Sequence, residues 1–141
     1  MDGNIKKIRD RQLAAPLQSE TLQDLVKNEL ATKKHTASEG LLWLTRGLDF
    51  TRQGLSHNLS NPSAELSNSF REAYTGTLKP HHSFMVKPIF SAAMSATPYR
   101  KDFYAKLGSN EKETQTKCDK EMKALEKIVG ILNGFMKTQK W

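Results

Sequence analysis

Few side chains in this 141-residue chain are spaced to do chemistry. His81 and His82 are adjacent, so on a helix they point in different directions and do not readily share a metal. Neither they nor His35 or His57 sit in an H-E-x-x-H or nucleophile-elbow context. The single cysteine, Cys118, excludes an internal disulfide and leaves no ligand set for structural zinc, so a buried reduced thiol is expected. The sequence therefore assigns no catalytic residue, no metal and no cofactor. What remains is recognition chemistry. Asn4 and Lys7 stand three apart, which places an amide donor and acceptor beside an ammonium on one helical face. Alone, such a pair is also what an ordinary wet helix surface looks like. His82 heads a helically spaced apolar row of Met85, Val86, Ile89, Ala93 and Ala96.

The stretch EGLLWLTRGLDF, Glu39 to Phe50, carries two apolar faces where a core-covering helix needs one. At about 100° per residue, Leu41, Leu44, Leu48 and Leu55 cluster on one side. Trp43 and Phe50 project nearly opposite, with Gly47 and Gly54 beside them. An interior glycine costs roughly 0.8–1.0 kcal/mol relative to alanine, so two of them beside two aromatics imply that something approaches the backbone closely. That neighbour is either another helix or a ligand.

The elements that must position these residues read as helices throughout, because no segment sustains the two-residue alternation of a half-buried strand. A first helix runs through Ile5, Ile8 and Arg11, and a loop around Pro16 leads to a second, with Ser19 as its cap, holding Leu22, Leu25, Val26 and Leu30. The Trp43 helix opens on a capping box, Thr36 with Glu39, and ends near Ser56 to Asn61. A fourth takes Asn61 as N-cap and Pro62 in its first turn, burying Leu66, Phe70, Ala73, Tyr74 and Leu78. The next starts at His82 and runs to about Ala96, kinked by Pro88. Thr97-Pro98 opens a short helix with Phe103. The longest follows, with Cys118, Met122, Leu125, Val129, Leu132 and Met136 in a stripe interrupted by Gly130 and Gly134.

A net charge of +7 and a pI near 9.6 fit a phosphate-bearing partner, a nucleic acid or an anionic membrane face. Basic residues are interleaved with acidic ones from Lys6 to Lys140 rather than massed in one block, which argues against nucleic acid. The length fits one domain, residues 1–141, and apolar runs stay below the roughly 18 residues a membrane span requires. The start lacks a secretory layout, so a cytosolic protein is expected.

Four ordered blocks carry a family resemblance. They are G-N-I-x-K at Gly3 to Lys7, T-A-S-E-G-L-L-W-L-T-R-G-L-D-F at Thr36 to Phe50, L-K-P-H-H-S-F at Leu78 to Phe84, and P-Y-x-x-D-F at Pro98 to Phe103. Together they resemble the glycolipid transfer protein family, closest to its fungal members. The resemblance implies an all-α, two-layer helical sandwich that carries lipid and is not an enzyme. By matching positions, Trp43 would stack the first sugar ring, Asn4 and Lys7 would hydrogen-bond its hydroxyls, and His82 would donate to the ceramide amide carbonyl. Phe50, Leu78, Ile89, Phe90, Ala93 and Phe103 would line the hydrocarbon pocket, where each buried CH₂ contributes about 0.8 kcal/mol. Phe84 takes the place of a membrane-facing tryptophan, with Lys79 and Lys87 assisting at the interface. The branch that carries ceramide phosphate has basic residues where Asn4 and Trp43 stand, so a neutral sugar fits better.

One departure concerns an Asp that the family places four residues before the Asn. That position would precede Met1, and Asp2 lies about 200° around the helix from Asn4. The family's first two helices would fall there as well, so an N-terminally truncated form is expected. Its Trp43 helix and final helix would then expose apolar surface. The implied partners are a glycosphingolipid and a transient membrane surface. A complete chain would be a monomer and a truncated one would self-associate with impaired transfer. The alternative is a helical protein-interaction or lipid-sensing module that keeps the fold without transfer.

Overall fold

The computed structural model describes residues 1–141 and is all-α, as the sequence pattern implies. Its helices are α1 (Asp2–Ala14), α2 (Leu22–Ala31), α3 (Thr36–Ser60), α4 (Leu66–Gly76), α5 (Val86–Ser95), α6 (Arg100–Leu107) and α7 (Glu111–Thr138). Short 3₁₀ turns form at Pro16–Gln18 and Lys79–His81. The chain divides into two compact units, one of Met1–Gly47 with Ile128–Trp141 and one of Leu48–Lys127.

In the first unit, apolar positions at helical spacing on three elements meet in one core. Leu25 and Val26 of α2, Ala37 and Leu41 of α3, and Leu132 and Met136 of α7 are buried together, flanked by Ile8, Leu30, Leu42 and Phe135. The expected stripe on α7 is therefore correct at these positions. Gly130 and Gly134 do not interrupt it, since both lie within the continuous helix.

Five expected helix starts are corrected here and in the second unit. The cap of α2 is Thr21, whose hydroxyl accepts from the Asp24 amide at 3.1 Å, while the Ser19 hydroxyl donates to the Ala15 carbonyl at 2.7 Å. Thr36 and Glu39 form no capping box, because Thr36 is already helical. The orphan amides at the start of α3 are met by Glu29 from α2. Its carboxylate accepts from Ala37 N at 2.9 Å and from Ser38 N and Ser38 Oγ at 2.7 Å each. A carboxylate only 3% exposed would be costly without those three donors.

The buried line of α3 in this unit also differs from the expected leucine face. Leu41 is buried, but it runs with Ala37, Gly40 and Thr45, and Leu44 is only half-buried. Small residues let a neighbouring backbone come close, so the stripe follows size rather than hydrophobicity.

The second unit has its own core of Tyr74, Leu78 and Met94, packed by Phe50, Phe70 and Phe90. Leu48 and Leu55, expected in the bundle interior, are half-buried, while Gly54 and Asn58 are buried. Asn58 is held by a polar net. It donates to Ala64 O at 3.0 Å and Ser69 Oγ at 3.1 Å, and its Oδ1 accepts from Arg100 at 2.6 Å and the Tyr104 hydroxyl at 3.0 Å. With every polar atom satisfied, a fully buried amide is tolerated.

Asn61-Pro62 makes a turn instead of a helix start, with Ala64 N bonded to Asn61 O at 2.9 Å, and α4 begins at Leu66. The residue before it, Glu65, sends its carboxylate to the Arg100 amide at 2.8 Å, which leaves α4 without a side-chain cap. Helix α5 begins at Val86 rather than His82, so Pro88 falls in its first turn. There a missing N–H breaks no helical bond, and no kink is required. Likewise α6 starts at Arg100, past Thr97-Pro98.

Candidate functional site

The first unit contains three of the residues picked out for recognition, Asn4, Lys7 and Trp43. Helix α1 crosses α3 at Gly40, where an added Cβ would lie 3.2 Å from the Asn4 carbonyl oxygen and 3.3 Å from Lys7 Cβ. Gly40 is one turn before Trp43 on the same face. The absence of a side chain at Gly40 thus seats the Asn4–Lys7 turn against the turn that leads to the indole. Asn4 is half-buried and Lys7 exposed. Trp43 is 36% exposed, and the Arg46 guanidinium lies 4.8 Å from its ring centroid. A cation over an indole face is an attractive contact, worth about 0.5–1 kcal/mol at exposed sites.

The glycines beside Trp43 and Phe50 do admit close neighbours, and in both cases the neighbour is protein. A Cβ on Gly47 would meet the Met1 methyl at 3.1 Å, and one on Gly54 would overlap the Phe70 ring.

The second unit holds His82 in an aromatic nest. Its ring lies 4.8 Å from Phe90 and 5.6 Å from Tyr74, and Nδ1 is 2.9 Å from the Tyr74 hydroxyl. Tyr74 and Phe90 stack at 5.3 Å with only 9° between planes, and Phe50 meets both edge-on. Burial, then the charges of His81 and Lys87, hold the His82 pKa below its ordinary 6.5. Burial pushes the Tyr74 phenol up. At neutral pH the pair is a protonated phenol and a neutral imidazole.

The six expected pocket residues divide by environment. Leu78 is buried, and Phe50 and Phe90 pack into the aromatic core. Phe103 is half-buried, edge-on to Tyr104 at 5.2 Å. Ile89 and Ala93 lie on the exposed face of α5, with Ile89 at 68%, because Phe90 and Met94 supply the side that packs inward. The apolar row that His82 was to head is therefore the outer face of α5, with Met85 and Ala96 exposed on it too. At the expected membrane interface Phe84 is 82% exposed and Lys79 is exposed, while Lys87 is half-buried.

Four structurally prominent residues are not singled out for the site by the sequence, Tyr74 being expected only as a buried residue of the fourth helix. Gly40 lies inside the Trp43 block, and its i,i+3 spacing to Trp43 is the signal that could have marked it. Arg46 stands three after Trp43 with the same spacing. Tyr74 and Glu29 act across loops, where helical spacing carries no information.

The sequence pattern of the glycolipid transfer protein (GLTP) family matches residues 1–109. The glycolipid transfer protein of Aureobasidium melanogenum is 66% identical over 143 residues, covering 100% of this chain and 71% of the relative. The crystal structure of HET-C2, a fungal glycolipid transfer protein, superposes with a TM-score of 0.95 at 60% identity, over 99% of this chain and 72% of that one. The structure that describes how FAPP2 selects simple glycosphingolipids using the GLTP fold matches with a TM-score of 0.83 at 27% identity, over 96% and 70% of the two chains. No helix of this chain is long and apolar enough to cross a membrane. With this sequence match and this fold, the chain belongs to the glycolipid transfer protein family, whose members carry lipids and are not enzymes.

Proposed function

We propose that residues 1–141 act as one glycolipid transfer protein domain, cytosolic and transiently membrane-associated, that binds a glycosphingolipid and moves it between membranes. Trp43 stacks on the first sugar, whose axial C–H face is weakly apolar and suits a flat indole. Asn4 and Lys7 hydrogen-bond its hydroxyls. His82 donates from Nε2 to the amide carbonyl, the tautomer that a Tyr74 proton on Nδ1 enforces. Phe50, Leu78, Ile89, Phe90, Ala93 and Phe103 contact the hydrocarbon, and Phe84, Lys79 and Lys87 touch the bilayer.

The observation that carries this reading is the seat of Asn4 and Lys7 against Gly40, one turn from Trp43. It supports the reading because the α1 turn with the polar donors packs one turn from the indole of α3. The test is transfer of labelled galactosylceramide between vesicles, with Trp43→Ala alongside. Transfer that drops at least ten-fold in the mutant supports the reading, and unchanged transfer by the mutant contradicts it.

A second reading is favoured by exposed apolar side chains in the first unit. Leu13, Leu17, Ile128 and Ile131 all stand in solvent, Leu17 at 90%. Such surface suits self-association or a lipid-sensing interaction module. Native mass spectrometry showing only a monomer across the micromolar range would count against it.

A further inference from the structure

Between α4 and α5 the second unit has an open cleft of about 460 Å³, lined by Arg71, Lys79, Phe84, Lys87 and Ser91 among others, with no carboxylate in its wall. Arg71 is fixed there by neutral acceptors. It donates to Ser91 Oγ at 3.0 Å and Ser91 O at 3.2 Å, and also to Ser95 Oγ. Those bonds orient the guanidinium without neutralising it. Arg71, Lys79 and Lys87 take part in none of the ion pairs. Phe84 in the cleft wall is 82% exposed, and Met85 and Ile89, next in sequence to the lining residues Phe84 and Pro88, are exposed at 69% and 68%.

We propose that this cleft seats the phosphate of an anionic membrane phospholipid, with Arg71, Lys79 and Lys87 around it while Phe84 enters the adjoining bilayer. The inference rests on the membrane-docking part of the function above and names the lipid that such docking selects. Aromatic side chains anchor at the interface, and phosphates lie at that same depth, so one docked pose satisfies both. An oriented guanidinium recognises phosphate geometry as well as charge, which distinguishes a seat from a diffuse basic patch. The apolar rim favours a lipid over a soluble phosphate ester.

The test is co-flotation of the 141-residue chain with three kinds of vesicle: neutral phosphatidylcholine, the same with phosphatidic acid, and the same with an equal surface charge supplied by oleate. Binding should be tightest with phosphatidic acid. Lys79→Gln and Lys87→Gln should each weaken it about five-fold, the fold-change equivalent to ~1 kcal/mol per basic side chain at an anionic surface. Arg71→Lys, which keeps the charge, should remove the preference for phosphatidic acid over oleate. Lys120→Gln, at an exposed position of α7, controls for general attraction. Equal binding to the phosphatidic acid and oleate vesicles, or an equal loss in Lys120→Gln, would overturn the proposal. So would glycerol 3-phosphate binding with no preference among vesicles. Phe84→Ala separates the two levels: it should weaken binding to neutral vesicles too, and if it does not, membrane docking itself fails regardless of the cleft.

Discussion

The Tyr74 hydroxyl lies 2.9 Å from Nδ1 of His82, and the direction of this bond is coupled to which ring nitrogen carries the proton. Burial keeps the phenol protonated, and burial with the charges of His81 and Lys87 keeps the imidazole neutral. When the phenol donates to Nδ1, as the proposed role of His82 requires, the ring proton resides on Nε2. Tyr74→Phe preserves the stack on Phe90 and removes only the hydroxyl. We expect the Nδ1-protonated tautomer to appear in ¹⁵N spectra of the imidazole. Affinity for a ceramide-bearing ligand should fall about five-fold, matching a net hydrogen bond of ~1 kcal/mol. An unchanged tautomer ratio would show that another contact fixes the ring.

Acid should destabilise the chain in two stages. A histidine whose folded pKa is lowered binds its proton more readily when unfolded, so stability contributed by neutral His82 is complete above 6.5 and declines as pH falls below that value. Glu29 enters at lower pH. Burial alone would raise its pKa, but hydrogen bonds from Ala37 and Ser38 and the charge of Arg11 outweigh that and leave it below 4.5. Its contribution is present above 4.5 and disappears as pH falls through the folded value. Thermal unfolding from pH 8 to pH 3 should show both slopes, with His82→Gln flattening the first. Glu29→Ala should flatten the second and cost about 1–3 kcal/mol at neutral pH, since the Ala37 and Ser38 donors stay buried.

Glycines with the same helical setting should respond oppositely to alanine. At Gly130 and Gly134 an added Cβ meets nothing within 4 Å, so each substitution should stabilise α7 by roughly 0.8–1.0 kcal/mol. At Gly54 the Cβ would overlap the Phe70 ring, and overpacking of about 1–3 kcal/mol should exceed the helix gain. Denaturant midpoints of the three single variants decide this, and a stabilised Gly54→Ala would mean that Phe70 is free to turn aside.

Much of the helical order is legible from apolar spacing alone, since Val129, Leu132 and Met136 recur at the period of the helix they occupy and all three are buried. Helix starts are less legible. The caps proposed at Ser19, Thr36 and Asn61 rest on residue type, yet a start is decided by which partner reaches the orphan amides, and for α3 that partner is Glu29 on another helix. The same limit explains Tyr74, whose bond to His82 spans a turn that periodicity does not describe. Trp43, Asn4 and Lys7 were recognisable as motif residues. Gly40, which lets their helices meet, reads in sequence as one more helix-weakening glycine.

The most direct measurement uses the fact that the chain has only two tryptophans, Trp43 and Trp141. In a Trp141→Phe variant all indole emission reports on Trp43, which is 36% exposed in the free protein. Titration with vesicles containing galactosylceramide should shift and quench that emission saturably, while ceramide without a sugar should change it little. An identical response to both lipids, or none to galactosylceramide, would contradict a sugar stacked on Trp43.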